Sequence, residues 1–167
     1  MPMTIPDAEL LVQNLAQHVR PWLEEGAALV GIHSGGAWLA QRILELTGSK
    51  ADFGTLDISF YRDDFSRIGL HSQTKPSSIP FEVEGRHIVL VDDVLYTGRT
   101  IRGAMNELFD YGRPKKISLA VLVDRGGREL PVEAQATATM MMLQPGQSLE
   151  LLQDSNGKFS LQLHEAQ

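Results

Sequence analysis

Three short, almost wholly apolar runs, residues 27–32, 87–91 and 117–123, constrain this chain more than any other feature. A run with no polar face must be covered on both sides. At five to seven residues, with Gly and Pro close by, such runs read as strands buried in a parallel sheet. The segments between them change to helical period. Over residues 7–25, Leu10, Leu11, Leu15, Val19, Trp22 and Leu23 recur at spacings of three and four, with Pro6 and Asp7 suited to a helix start and Gly26 to its stop. Residues 37–46 return to that period before Gly48, and residues 100–111 do so before Gly112 and Pro114. Residues 53–61 alternate partly through Leu56, Ile58 and Phe60, as a strand does, and the polar stretch 62–80 reads as a long mobile loop. Shorter strands are expected at 138–143, 149–152 and 158–163; Ser155-Asn156-Gly157 makes the last pair a hairpin, and Met140, Met141 and Met142 are expected in strand core. The reading is an α/β fold: a mostly parallel central sheet with helices on both faces, whose ligands sit beyond the carboxyl ends of the strands.

The 167 residues suit one domain spanning 1–167. Fifteen Lys and Arg against twenty-one Asp and Glu give a net charge of −6, so no global field draws the chain to nucleic acid or anionic lipid, and any anion site must be local. The absence of cysteine excludes a disulfide scaffold, a thiolate metal site and a cysteine nucleophile, and fits a reducing compartment. The five histidines show no metal-ligand spacing. No apolar run approaches the ~18 residues of a spanning helix. Asp7 and Glu9 precede the first Arg, unlike a signal peptide. A soluble cytoplasmic protein without a membrane partner is expected.

The chemistry concentrates in residues 88–100, where an apolar strand leads into Asp92-Asp93 and then into Thr97-Gly98-Arg99-Thr100, opening a helix. Amides at a helix start, joined by the Thr97 and Thr100 hydroxyls, form an anion cradle, and Gly98 lets the backbone approach a phosphate closely. Asp92 and Asp93, expected at a solvent-facing strand end, can accept hydrogen bonds from vicinal hydroxyls or hold a water-bearing Mg2+, which prefers oxygen ligands. Helix capping alone would also use Asp and Thr. The spacing is neither that of the Walker phosphate loop nor that of the dinucleotide turn.

This segment resembles the signature of the type I phosphoribosyltransferases. Together with Tyr61-Arg62-Asp63-Asp64 and residues 119–131, it is similar to the branch that combines pyrimidine-operon regulation with uracil phosphoribosyltransferase activity, over roughly residues 30–131. The resemblance implies the type I fold with a small hood region, conversion of uracil and phosphoribosyl pyrophosphate to UMP and pyrophosphate, dependence on Mg2+, and a homodimer or higher homo-oligomer. It implies that Asp92 and Asp93 bind the ribose hydroxyls and, through water or those hydroxyls, the metal. Thr97, Gly98, Arg99 and Thr100 would hold the 5′-phosphate. Tyr96 stands where purine-salvage relatives carry Asp, which argues against a 6-oxopurine.

By the same resemblance, His33, Ser34, Gly35 and Gly36 form the pyrophosphate turn, for which a bare helix-entry turn is the alternative. The family usually has Arg where this chain has Gly35, so an Arg restored there is expected to strengthen pyrophosphate binding. Arg62 is a candidate lid residue, or an exposed loop arginine. Val123, Asp124 and Arg125 lie where uracil is read, largely by backbone groups. The family also binds leader messenger RNA of pyrimidine genes, tuned by uridine nucleotides, through basic residues of the first helix and an Arg-Gly-His-Arg segment. Here that helix has only Arg20, and the segment reads Arg125-Gly126-Gly127-Arg128; Arg113, Lys115 and Lys116 are the other basic candidates. The rival reading is a catalytically weak uridine-nucleotide sensor acting as an RNA-binding attenuation regulator.

Overall fold

The computed structural model describes residues 3–58 and 77–165. In chain order the elements are α1 (Ala8–Glu24), β1 (Ala28–Ile32), α2 (Gly35–Thr47), β2 (Phe53–Leu56), β3 (His87–Leu95), α3 (Arg99–Tyr111), β4 (Lys116–Asp124), β5 (Ala136–Met140), β6 (Ser148–Gln153) and β7 (Phe159–His164). Five strands form one parallel sheet in the order β2-β1-β3-β4-β5. The reversal of strand order beside β1 and β3 puts the two helix entries, at Gly35 and Arg99, on the same edge of the sheet. That edge is the carboxyl end of the strands, where such sheets take their ligands.

The apolar runs are buried on both faces, as their composition requires. Val89 and Val91 of β3 pack with Val12, Leu15 and Val19 of α1 and Leu39 and Ile43 of α2. The alternate residues Ile88 and Leu90 pack with Ile101, Ala104 and Leu108 of α3 on the opposite face. Asp7 caps α1 by accepting the Glu9 amide at 2.9 Å, which satisfies one of the unpaired donors at the helix start.

Two strands differ from the sequence expectation. β3 does not stop at 91; its ladder with β4 runs on through Asp92↔Val121 to Leu95↔Asp124, because β4 offers a backbone partner as far as Asp124. β5 begins and ends earlier than 138–143, since its partner β4 ends at Asp124, opposite Met140. Past that point no strand is left to pair with. Met140 and Met142 are therefore 72% and 76% exposed, and only Met141, at 8%, joins the core, which corrects the expectation of a buried methionine run. Residues 59–76, which include Arg62 and most of the expected loop, lie outside the described residues. Ser78, just after them, bridges Thr55 through two backbone hydrogen bonds of 2.8 Å.

The expected carboxyl-terminal hairpin is present: β6 and β7 pair antiparallel across a turn in which Asp154 Oδ1 accepts the amides of Asn156 and Lys158 at 2.8 and 2.9 Å. It is fastened to the helical layer by Glu9. One carboxylate oxygen accepts the Phe159 amide at 2.7 Å, and the other accepts Arg42 Nη1 at 2.7 Å. The Arg42 guanidinium lies 4.4 Å from the centre of the Phe159 ring. This places the hairpin as a small hood beside the main sheet. Among the described residues, no helix is long and apolar enough to cross a membrane.

Candidate active site

The carboxyl end of β3 carries both acidic residues, and strand alternation separates them. Asp92 is 5% exposed, so the expectation of two solvent-facing carboxylates is corrected for this residue: the strand continues past it and its face is covered. Its Oδ1 accepts the Asp93 amide at 2.9 Å. Asp93 is half-buried, and its Oδ1 accepts the Val94 amide at 2.8 Å. Its other oxygen occupies the space beside Gly35 at the start of α2. A Cβ on Gly35 would overlap Asp93 Oδ2 and lie 2.9 Å from its Cγ. A larger residue at position 35 would therefore require the Asp93 side chain to move. An Arg at position 35 would have to shift the Asp93 side chain before it could donate to an anion there.

The turn before α2 is held by backbone. The His33 amide donates to Leu56 O at 2.9 Å, which withdraws it from ligand binding, and the His33–Ser34 peptide is cis. Ser34 makes no capping hydrogen bond with its side chain, which leaves first-turn amides of α2 unmasked. Ser34, Gly35, Trp38, Asp92, Asp93, Val94 and Thr100 line a cleft of about 420 Å³ whose far wall is residues 149–151 of β6. Pattern reasoning found the turn, the acidic pair and Thr100. It missed Trp38 and the hairpin wall, because an indole at helical spacing and an alternating strand carry only a core signal in sequence.

The second helix entry is a sharp turn. Gly98 caps α3 with φ of +95°, a conformation that side chains other than glycine rarely adopt. Thr97 is 7% exposed, and its hydroxyl accepts the Arg99 amide at 3.2 Å, so it shapes the turn from within. The Thr97 carbonyl accepts the amides of Glu129 and Leu130 at 2.9 and 3.0 Å, and Arg99 Nε bonds Glu129 at 2.9 Å. The loop after β4 therefore buttresses the turn after β3.

That loop separates its two arginines. Arg128 is committed internally: Nε donates to Val132 O at 2.7 Å, Nη1 to Tyr96 O at 3.0 Å and Nη2 to Asp124 Oδ2 at 2.6 Å. Asp124 Oδ1 accepts the Gly126 amide at 2.9 Å. The Arg128 hydrogen bond, joined by that amide and outweighing burial, holds the Asp124 carboxyl below its ordinary value. Arg125 instead lies over the Tyr96 ring, its guanidinium carbon 3.8 Å from the ring centre. The Val123 side chain is fully buried beside the strand pair Val94↔Val123. Among the described residues, no group of three or more His, Asp or Glu is arranged to hold a metal ion unaided.

Residues 7–142 match the phosphoribosyl transferase domain family. The bifunctional protein PyrR of Nitrosococcus oceani is 48% identical over 160 residues, which are 92% of this chain and 90% of that protein. The bifunctional protein PyrR of Pseudomonas fluorescens is 45% identical over 164 residues, covering 96% and 98%. Among solved structures, a hypoxanthine-guanine phosphoribosyltransferase from Bacillus anthracis aligns with a TM-score of 0.64 at 14% identity, over 88% of this chain and 87% of that one. The hypoxanthine phosphoribosyltransferase of Trypanosoma cruzi aligns at 0.60 with 15% identity, over 83% and 82%. At such identities the solved structures establish the fold.

Proposed function

This chain belongs to the phosphoribosyl transferase family, and from that premise we propose that it is a uracil phosphoribosyltransferase that also regulates expression of pyrimidine-biosynthesis genes. The observation that carries the reading is the meeting of Asp93 with Gly35 in one cleft that also holds Asp92 and Thr100. A ligand with a ribose between a pyrophosphate and a 5′-phosphate spans these three features. The carboxylates of Asp92 and Asp93 accept from the ribose hydroxyls, amides of Ser34, Gly35 and Gly36 face the pyrophosphate, and the entry to α3 with Thr97, Gly98, Arg99 and Thr100 takes the 5′-phosphate. In the reaction the bond from the anomeric carbon to pyrophosphate breaks, the bond to uracil N1 forms, and the N1 proton is lost. Positive charge develops on the ribose ring in between. Asp92 and Asp93 stabilise it by placement, and closure of the cleft keeps water from competing with uracil.

Two adjoining carboxylates without a full ligand cage suit Mg2+, which keeps several waters and takes its remaining oxygens from phosphates. Asp92 and Asp93 would hold it through water or the ribose hydroxyls, where it would supply charge to the departing pyrophosphate. Uracil is read largely by backbone groups of Val123, Asp124 and Arg125, with the Asp124 carboxylate reserved for shaping the loop. Arg62 is proposed as the lid over pyrophosphate. The whole of residues 1–167 is taken as one domain, acting in the cytoplasm as a homodimer or larger homo-oligomer.

The regulatory half is proposed from the bifunctional PyrR relatives, with UMP as the signal and pyrimidine-operon leader RNA as the partner. Since Arg128 is bonded internally and Arg125 stacks on Tyr96, RNA contact rests mainly on Arg113, Lys115 and Lys116. One observation favours the rival, a weak catalyst retained as a uridine-nucleotide sensor: position 35, where the family usually carries an arginine fork, is Gly in this chain and packs against the Asp93 carboxylate. Incubating the protein with uracil, phosphoribosyl pyrophosphate and Mg2+ separates the two. Multiple turnovers to UMP support the enzyme, and UMP binding without turnover supports the sensor.

A further inference from the structure

Two arginines three positions apart in one loop are used in opposite ways. Arg128 has its Nε, Nη1 and Nη2 all bonded to the protein. Arg125 has its guanidinium stacked on Tyr96 at 3.8 Å; its side chain makes no hydrogen bond or ion pair among the described residues, and its Nε is buried without an acceptor. A buried Nε left without an acceptor is costly, while the Nη groups, which make no hydrogen bond among the described residues, are open to an incoming acceptor. The stack is nevertheless a made arrangement. Tyr96 is fixed through its carbonyl by Arg128, and the Arg125 amide donates to Leu95 O at 3.0 Å, which ties the two loops together at the foot of the stack. Gly127, with φ of +76°, brings bare backbone against the ring: a Cβ there would lie 2.5 Å from Tyr96 Cε1. The ring thus has a cation over it and glycine backbone against its Cδ1–Cε1 side, between the turn of Thr97 to Thr100 and the loop that begins at Asp124.

We propose that the Tyr96–Arg125 stack is the specificity element of the base site, with Tyr96 holding the Arg125 guanidinium in place so that its free Nη donors meet a carbonyl oxygen of the pyrimidine. This deepens the uracil reading and rests on it. The chemistry selects by hydrogen-bond sign. Uracil presents carbonyl oxygens on both sides of its N3–H, so donors aimed at that edge are satisfied. Cytosine presents an amino group in place of one carbonyl, and a donor facing a donor leaves both unpaired in a half-buried site. A lysine at position 125 keeps the charge but has neither the planar face for the ring nor a fork of fixed donors. Tyr96 acts through Arg125 and is a positioning residue; its hydroxyl is not required.

The test compares UMP and CMP binding by titration calorimetry and uracil kinetics for the full chain and four variants, with thermal unfolding as a check on folding. The wild-type protein prefers UMP to CMP by about tenfold or more. Arg125→Ala and Tyr96→Ala each remove most of that preference by weakening UMP, leave CMP affinity within about twofold, and raise KM for uracil more than KM for phosphoribosyl pyrophosphate. Tyr96→Phe keeps the preference, whereas Arg125→Lys does not. Should the wild-type protein turn uracil over while Arg125→Ala and Tyr96→Ala retain its KM for uracil and its UMP preference, the stack is not the specificity element and the enzymatic reading stands. A wild-type protein that neither forms nor binds UMP refutes the uracil reading, and the inference with it.

Discussion

Replacing Arg128 with alanine is the perturbation whose consequence the structure defines most closely. The change deletes three hydrogen bonds, to Val132 O, Tyr96 O and Asp124 Oδ2. The Arg128 and Asp124 side chains are only 25% and 13% exposed, so the pair is not an exposed ion pair of negligible worth. Full burial would make the loss of one partner cost about 3–5 kcal/mol, and a lost hydrogen bond to a charged group alone costs about 1.5–3 kcal/mol. Water can reach part of this site, which brings the expected loss to about 2–4 kcal/mol. At about 2–4 °C per kcal/mol for a chain of this size, the melting temperature falls by roughly 5–15 °C.

The pH dependence follows from Asp124. Arg128 holds its folded pKa below the unfolded value near 3.8, so its contribution is complete above that value and is lost as pH falls through the folded pKa. The deficit of Arg128→Ala relative to wild type should therefore be largest at neutral pH and narrow in strong acid. Urea unfolding midpoints of both proteins, taken from neutral pH down to about pH 3, measure this. A deficit below about 0.5 kcal/mol at neutral pH, the range of ordinary surface substitutions, would mean that Arg128 does not hold the loop. A deficit that does not change with pH would contradict the role given to Asp124.

The other predictions concern single features of the site and its support. Gly35→Ala and Gly35→Arg should both lower UMP synthesis by about tenfold or more, because a Cβ displaces the Asp93 carboxylate; an Arg variant with raised turnover would show that Asp93 yields freely. Glu9→Ala should lower stability by about 2–4 kcal/mol, since it strips acceptors from both the Phe159 amide and Arg42 and so loosens the hairpin; unchanged thermal unfolding would contradict that role. Binding to a pyrimidine-operon leader transcript should weaken in the Arg113→Ala, Lys115→Ala, Lys116→Ala triple variant, with the salt slope falling by about 0.7 per lost phosphate contact. A filter-binding salt series in which that variant matches wild type would place the RNA elsewhere.

How much of this was legible beforehand depends on which forces set each feature. Burial on both faces leaves an unbroken apolar run, so the strands at 27–32, 87–91 and 117–123 and the helices between them are readable from composition and period alone. The strand ends are not. β3 passes through Asp92 and Asp93 because β4 offers partners as far as Asp124, and a ladder between residues far apart in the chain leaves no local mark. Met140 and Met142 failed as core residues for the complementary reason: β4 runs out beside them. At the site, Asp92, Asp93 and the glycine-threonine turn were visible as residue types suited to hydroxyls and phosphate. The contact of Asp93 with Gly35 was not, because it joins segments about sixty residues apart that only the parallel pairing of β1 with β3 brings together. Arg125 and Arg128 looked equivalent in sequence, and only their partners distinguish them.

We propose that Asp92, Asp93 and the two helix entries form a centre that transfers a phosphoribosyl group to uracil. The most direct measurement follows labelled uracil into UMP, with phosphoribosyl pyrophosphate and Mg2+ present, for the wild-type protein and for the Asp92→Asn, Asp93→Asn double variant. UMP and pyrophosphate should form in equal amounts with the wild-type protein, and the rate should fall about 10²-fold or more in the double variant with its circular dichroism preserved. A folded double variant that forms UMP at the wild-type rate would contradict this assignment.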